Sequence, residues 1–270
     1  MDASGTIAAL VNDRRALIGV LHLPALPGSP GATLAIDRIV DRALAEAQIY
    51  RDAGFNALLI ENMHDRPYLK RAVGPEVTAA MAVVGRAVHD VVPLPLGVQV
   101  LAGANQAALA VALAAGAQFV RVEGFVFAHV ADEGLIESDA GELLRYRRAI
   151  GATEVRVFAD IKKKHSAHAI TSDVDIAETA RAAEFFLVDG VVVTGTVTGR
   201  PADPVELGAV ANAVKVPALI GSGIAPDNIA LYAAADGFIV GSWVKVDGHW
   251  SKALDPARAR ALAEAFRSLP

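Results

Sequence analysis

The chain contains no cysteine. That absence excludes disulfides, thiolate-bound zinc and a cysteine nucleophile, and it leaves the redox compartment open. No apolar run reaches the length of a bilayer span, and no basic segment followed by an apolar one opens the sequence. The expectation is a soluble, cytoplasmic protein without a transmembrane segment. Basic tracts are missing too. The 25 Lys and Arg are outnumbered by 30 Asp and Glu, for a net charge of −5, and Lys162-Lys163-Lys164 is too short for a polybasic tail. A nucleic acid is therefore not an expected partner. The spacing His-Glu-x-x-His does not occur, which argues against a hydrolytic zinc site.

What is there is an alternation of strand and helix from end to end. The 270 residues are 53% hydrophobic, carried by Ala and Val spread throughout, enough for one large core and close to the usual size of a single α/β barrel. Short Val-, Ile- and Leu-rich runs predict strands over residues 17–21, 57–61, 96–101, 119–123, 155–161, 190–194, 218–221 and 238–241. Helical patterns separate them, the first from about residue 34 to residue 53 with Gly54 as its C-cap. Ala53-Gly54, Ala115-Gly116, Asp189-Gly190 and Asp236-Gly237 share one layout before every second strand, as a repeated (βα)₂ unit would. An open, doubly wound sheet more often carries a Gly-rich fingerprint after its first strand, where this chain has prolines. The expected fold is an α/β (β/α)₈ TIM barrel, one domain over residues 1–270.

Two turns stand out: Gly221-Ser222-Gly223 and Gly241-Ser242, each directly after an apolar run. Glycine lets the backbone bring N–H groups close to an anion, and serine adds a hydroxyl. In a (β/α)₈ barrel the loops after strands seven and eight frequently hold phosphate. Thr194, Gly195 and Thr196 after strand six extend this candidate phosphate-binding set, with Pro226 placed to open a helix aimed at it. Small residues in ordinary strand-to-helix turns are the competing reading.

Polar residues crowd the expected C-terminal strand ends. His22 ends strand one, Glu61, Asn62, His64, Asp65 and Arg66 follow strand two, and Gln99 and Asn105 flank strand three. Arg121 and Glu123 close strand four, and Asp160, Lys162, Lys164 and His165 close strand five. On a regular strand Asp160, Lys162 and Lys164 share a face. A lysine there could form a Schiff base, bind phosphate or polarise a carbonyl, or simply pair with a carboxylate. Glu61 and Asp160 are candidate ligands for Mg²⁺ alongside substrate phosphate, with pairing to arginine and lysine the alternative. His22 and His165 are rim imidazoles able to move a proton near neutral pH.

The segments Ile18-Gly19-Val20-Leu21-His22-Leu23-Pro24-Ala25-Leu26-Pro27-Gly28-Ser29-Pro30, Glu61-Asn62-Met63-His64-Asp65-Arg66-Pro67-Tyr68 and Arg121-Val122-Glu123-Gly124-Phe125 resemble the BtpA/SgcQ family. So do Ala159-Asp160-Ile161-Lys162-Lys163-Lys164-His165 and Thr194-Gly195-Thr196-Val197-Thr198-Gly199. The resemblance covers nearly the whole chain. It implies a barrel related to the ribulose-phosphate-binding group, in a family named after a photosystem I biogenesis factor.

Two functions follow as expectations. One is an enzyme of lyase, aldolase or isomerase type acting on a phosphorylated small molecule. Its catalytic groups would be Asp160, Lys162, His22 and Glu123, and its substrate-binding groups Glu61, Asn62, Asp65, Arg121, Lys164 and His165. The other is a non-catalytic assembly or stability factor. Oligomeric state is open, a homo-oligomer included.

Overall fold

The computed structural model describes residues 8–11, 13–195 and 197–270. Its elements run β1 (Ala16–His22), α1 (Ile36–Ala53), β2 (Ala57–Glu61), α2 (Pro75–Val91), β3 (Leu96–Gln99), α3 (Asn105–Ala115) and β4 (Phe119–Val122). A hairpin of β5 (His129–Ala131) and β6 (Gly134–Ile136) comes next, then α4 (Ala140–Ala149), β7 (Arg156–Ile161), β8 (Ser166–Ala167) and α5 (Ile176–Phe185). The chain ends with β9 (Gly190–Val193), α6 (Pro204–Ala213), β10 (Ala218–Ile220), β11 (Gly237–Val240) and α7 (Pro256–Arg267). Eight of the strands close into a parallel barrel in the order β1-β2-β3-β4-β7-β9-β10-β11. The barrel expected from the alternation is the one observed, and His22 and Asp160 both lie towards its C-terminal mouth.

Alternation of side chains across each strand divides the core in two. Ile18, Val20, Leu59, Phe119, Phe158, Val192, Leu219 and Ile239 fill the barrel interior, and their neighbours pack outward beneath the helices. Phe119 and Phe158 meet with ring centroids 5.5 Å apart. Gly97 makes room for them, since a Cβ there would run into the Phe119 ring.

The repeated glycines share a layout but not a cause. Gly54 and Gly116 are left-handed C-caps of α1 and α3, at φ 101° and 78°. Gly190 and Gly237 instead begin strands, and a Cβ on Gly190 would lie 2.6 Å from Phe158. One expectation is corrected in the seventh βα unit. A four-residue 3₁₀ turn, Ile229–Tyr232, stands where an α-helix was expected, so Pro226 opens no helix that could aim its N-terminus at an anion. A second, three-stranded sheet of β6, β5 and β8 lies outside the barrel.

Candidate active site

The strand register sets three polar groups at one level: His22 pairs in register with Glu61, and Glu61 with Gln99. Continuing the inward alternation adds Arg121 and Asp160 on one side, and Gly221 and Gly241 on the other. The large side chains fill their half of the mouth, while the glycines leave a hollow.

That hollow is a cavity of about 90 Å³ lined by His22, Glu61, Arg121, Lys164 and the turns 221–224 and 241–243. The backbone N–H groups of Ser222, Gly223, Gly241, Ser242 and Trp243 have no protein acceptor among the described residues. Gly223 sits at φ 68°, the left-handed geometry that turns successive N–H groups into an anion-binding concavity. A Cβ on Gly241 would lie 2.8 Å from His22 Nε2, so glycine is needed for the histidine to approach.

A second cavity of about 250 Å³ adjoins the first and shares Glu61, Met63, Arg121, Lys164 and Thr198 with it. Gln99, Glu123, Lys163, His165 and Tyr68 complete much of its wall. Asp160 and Arg121 form a bidentate pair at 2.7 and 2.8 Å, both side chains almost wholly buried. Burial works against the Arg121 charge, but Asp160, with Glu61 and Glu123, more than offsets it and raises its pKa. Lys163 Nζ donates to Glu123 Oε2 at 3.0 Å. Lys164 makes no ion pair among the described residues, and burial together with Arg121 lowers its pKa. Burial raises the Glu61 pKa, an effect Arg121 and Lys164 partly oppose.

Several sequence expectations are corrected by this geometry. Lys162 does not line either cavity. The strand stops at Ile161 and Lys162 turns to φ 45°, so alternation fails one residue before it would have aimed this side chain inward. Lys162 lines a cleft of about 20 Å³ with His129 and His168 instead. Asn62 and Asp65 are braces. Asn62 Oδ1 accepts from Leu101 N–H at 2.7 Å and its amide donates to Asp65, whose other oxygen accepts from Leu26 N–H at 2.7 Å. Gly195 donates its N–H to Ser222 Oγ at 2.6 Å, and that hydroxyl donates to Arg200 O at 3.1 Å. Neither Gly195 N–H nor the Ser222 hydroxyl is therefore turned to a ligand. Thr194 Oγ1 accepts from Lys164 N–H, a contact that positions the lysine's backbone. Thr196 lies outside the described residues.

Of the two candidate Mg²⁺ ligands, Asp160 is corrected. Both Asp160 oxygens are taken by Arg121, and no group of three or more His, Asp or Glu side chains with metal-holding geometry occurs among the described residues. His22 is corrected as a shuttle at neutral pH. Burial, reinforced by Lys245, lowers its pKa to about 3, against an opposing hydrogen bond to the Trp250 carbonyl. That carbonyl, 3.0 Å from Nδ1, can only accept, so Nδ1 carries the proton and Nε2 is an acceptor facing Gly241. His165 does line the larger cavity, where its Nε2 accepts from Thr198 N–H at 3.1 Å.

Three wall residues escaped the sequence reading. Lys163 was hidden because its role depends on where β7 ends. Trp250, with the Arg66 guanidinium 4.9 Å from its ring centroid, closes one side from the loop after β11. Glu133 reaches in from the β5–β6 turn. An aromatic residue in a βα loop was the one available signal, for Trp250.

Fold and mouth together define a (β/α)₈ barrel with its polar cavities at the C-terminal ends of the strands. The chain belongs to the BtpA family, whose model matches residues 13–268. An uncharacterised mitochondrial protein of Caenorhabditis elegans is 46% identical over 259 residues, 93% of each chain. The photosystem I biogenesis protein BtpA of Synechocystis is 38% identical, over 93% of this chain and 87% of its own. An orotidine 5'-monophosphate decarboxylase of Methanocaldococcus jannaschii has the same fold at a TM-score of 0.59 and 13% identity, covering 94% of this chain and 99% of that one. A thiamine phosphate pyrophosphorylase of Pyrococcus furiosus gives 0.58 and 14%, over 94% and 96%. No helix among the described residues is long and apolar enough to cross a membrane.

Proposed function

We propose that this protein is an enzyme acting on a phosphorylated small molecule, with the phosphate in the glycine-lined cavity and the reacting carbons in the larger one. The observation that carries this reading is the adjacency of a cavity with unpaired backbone N–H groups to one holding Glu61, Arg121 and Lys164. The solved structures with this fold include proteins whose names contain a phosphate-bearing compound, which agrees with the reading.

The chemistry these groups supply is proton transfer beside a carbonyl, of isomerase or aldolase type. Glu61, with its raised pKa, takes a proton from the carbon next to the carbonyl, while Arg121 and Lys164 stabilise the oxygen on which negative charge develops. Moving the hydroxyl proton of that carbon to the charged oxygen, and returning the abstracted proton to the former carbonyl carbon, completes an isomerisation. Lys164, uncharged more readily than an ordinary lysine, is also the residue able to form a Schiff base, losing water from the carbonyl. Borohydride trapping separates the roles, because only a Schiff base leaves a reduced adduct on Lys164.

Thermal unfolding with inorganic phosphate, phosphorylated sugars and their unphosphorylated counterparts tests the binding claim. A ligand at one hundred times its Kd stabilises the fold by roughly 2.7 kcal/mol. Only the phosphorylated compounds should do so, and Gly241→Ala, which forces His22 aside, should weaken them. If none stabilises the protein, the enzyme reading falls. The assembly-factor reading then moves ahead, favoured by the name of the Synechocystis relative and by Phe185 and Leu187, 81% and 71% exposed at the end of α5.

A further inference from the structure

A third hollow lies behind His22 and Trp250. It measures about 700 Å³, more than the two cavities of the mouth together. Leu21 and Leu23, which line it, belong to the layer that packs outward from the barrel, and Arg42, Ala43, Ala45 and Glu46 of α1 face them. The loops after β1 and β11 close its ends. His22 is the residue it shares with the glycine-lined cavity, and Arg66 and Trp250 are those it shares with the larger one. The hollow is therefore a separate chamber that backs onto the mouth, and its size suits a small organic ligand.

Its wall has two characters. Leu21, Leu23, Pro24, Ala25, Leu34 and Ala43 make an apolar inner surface. Glu46 is the one acidic residue in the wall, and Lys245, 1% exposed, holds it at 2.6 Å. Arg42, Arg66 and Lys252 remain, and none of them enters an ion pair among the described residues. The chain as a whole carries a net charge of −5, so three unmatched cations around one hollow run against the average of the surface. Burial lowers the His64 pKa, and Arg66 and Lys245 lower it further, as a positive surrounding does. Such a hollow concentrates anions. A cationic ligand would meet like charge, and a neutral one would leave the three cations without a counter-charge.

We infer that this hollow binds a second small molecule, an organic anion whose apolar body lies between β1 and α1 and whose charged end meets Arg42 and Lys252. The inference goes beyond the phosphate-site reading and does not rest on it.

Fluorescence titration of the full chain with anilinonaphthalene sulfonate, and with N-phenylnaphthylamine, the same apolar body without the sulfonate, tests this. The sulfonate should bind at least about ten-fold tighter than the neutral dye, the scale of a hydrogen bond to a charged group. Arg42 and Lys252 are exposed and line this hollow alone among the three, so Arg42→Gln combined with Lys252→Gln should keep the fold. That double variant should weaken the sulfonate about ten-fold and leave inorganic phosphate binding unchanged. Ala45→Trp, which fills the hollow from an exposed position on α1, should block the dye by a second route. Gly223→Ala should weaken phosphate and spare the dye. No binding of the sulfonate, equal binding of the two dyes, or undiminished sulfonate binding in the double variant and in Ala45→Trp would overturn the inference and leave the phosphate site standing. Failure of inorganic phosphate to bind, with the dye behaving as expected, would overturn the phosphate-site reading alone.

Discussion

The two halves of the barrel mouth are built on opposite plans. From β1 to β7 the top inward positions hold His22, Glu61, Gln99, Arg121 and Asp160, large polar groups of which Arg121 and Asp160 pair directly. Directly after β10 and β11 the corresponding positions are Gly221 and Gly241, and the chain offers bare backbone. Side chains can titrate, polarise and be repositioned by a neighbour. Backbone N–H groups keep a fixed partial charge at every pH and lose no side-chain entropy on binding. An arrangement that needs a constant anchor for an anion and adjustable chemistry for the rest of a molecule is served by this division.

The sharpest way to break the comparison is to attack the charged half where it is most buried. Removing one partner of a buried ion pair leaves the other uncompensated, at a cost of roughly 3–5 kcal/mol. Asp160→Ala strands Arg121, 4% exposed, and should lower the free energy of urea unfolding by that amount. Ser242→Ala, on the glycine side, should change it by no more than about 0.5 kcal/mol. Equal stability of the Asp160 variant and the wild type would mean that the charged half holds together by some other means.

The two lysines that flank Lys163 give the next largest effect, on activity. With a phosphorylated substrate in hand, Lys164→Met should lower kcat/KM about a hundred-fold or more, the scale of a lost polarising or proton-moving group. Lys162→Met should change it by no more than roughly two-fold, since the side chain points into a separate cleft. A large loss at Lys162 with little at Lys164 would restore the assignment that simple strand alternation gives.

That pair also shows where the sequence stops being legible. Apolar runs and helix stops located the barrel strands to within a residue or two, because each reflects burial of whole elements. Glu61, Arg121 and Asp160 were legible as mouth residues because they lie on regular strands. Lys162 was not, because a left-handed residue directly after β7 breaks the alternation there, and Lys163 and Lys164 then both reach the larger cavity. The glycine turns were recognised as a cluster, but the engagement of Gly195 and Ser222 with each other depends on contacts 27 residues apart. Glu133 was invisible for the same reason: no local pattern says that a hairpin turn reaches a cavity.

Within the glycine half, Gly199 and Gly223 separate backbone strain from crowding. Both are left-handed, at φ 80° and 68°. Alanine at either position costs roughly 1–2 kcal/mol from conformation alone. Only at Gly223 would the new Cβ strike backbone, at Pro201 N, while at Gly199 nothing lies within 4 Å. Gly223→Ala should therefore also displace the 200–201 segment and weaken phosphate binding by about ten-fold, on the scale of one hydrogen bond lost to a charged partner. Gly199→Ala should show the strain without the binding defect. Matching phosphate affinities in the two variants would detach the anion cradle from the geometry of its loop.

The smallest effect tests whether His22 belongs electrically to the charged half that it borders. Its pKa is lowered to about 3 by burial, with Lys245 as the next cause, so in the folded state the ring stays neutral through the mildly acidic range. In the unfolded chain the value returns to the ordinary 6.5. The unfolded state thus binds the proton first as pH falls. The stability associated with a neutral His22 is fully present above about pH 6.5, declines steadily below it, and stops declining near pH 3. Between pH 7 and pH 5 the loss from this one group is on the order of 1–2 kcal/mol. Asp139, which burial raises to about 6, titrates inside this window and would confuse a single profile, so the measurement is a difference between wild type and His22→Asn. Asparagine can still donate to the Trp250 carbonyl but takes up no proton. Urea unfolding should show the wild type losing more stability than the variant from pH 7 to pH 5, and the ring resonances of His22 should show no protonation above pH 5. Parallel profiles, or a ring that titrates near 6.5, would return His22 to the list of proton shuttles and make the boundary between the two halves a titrating one.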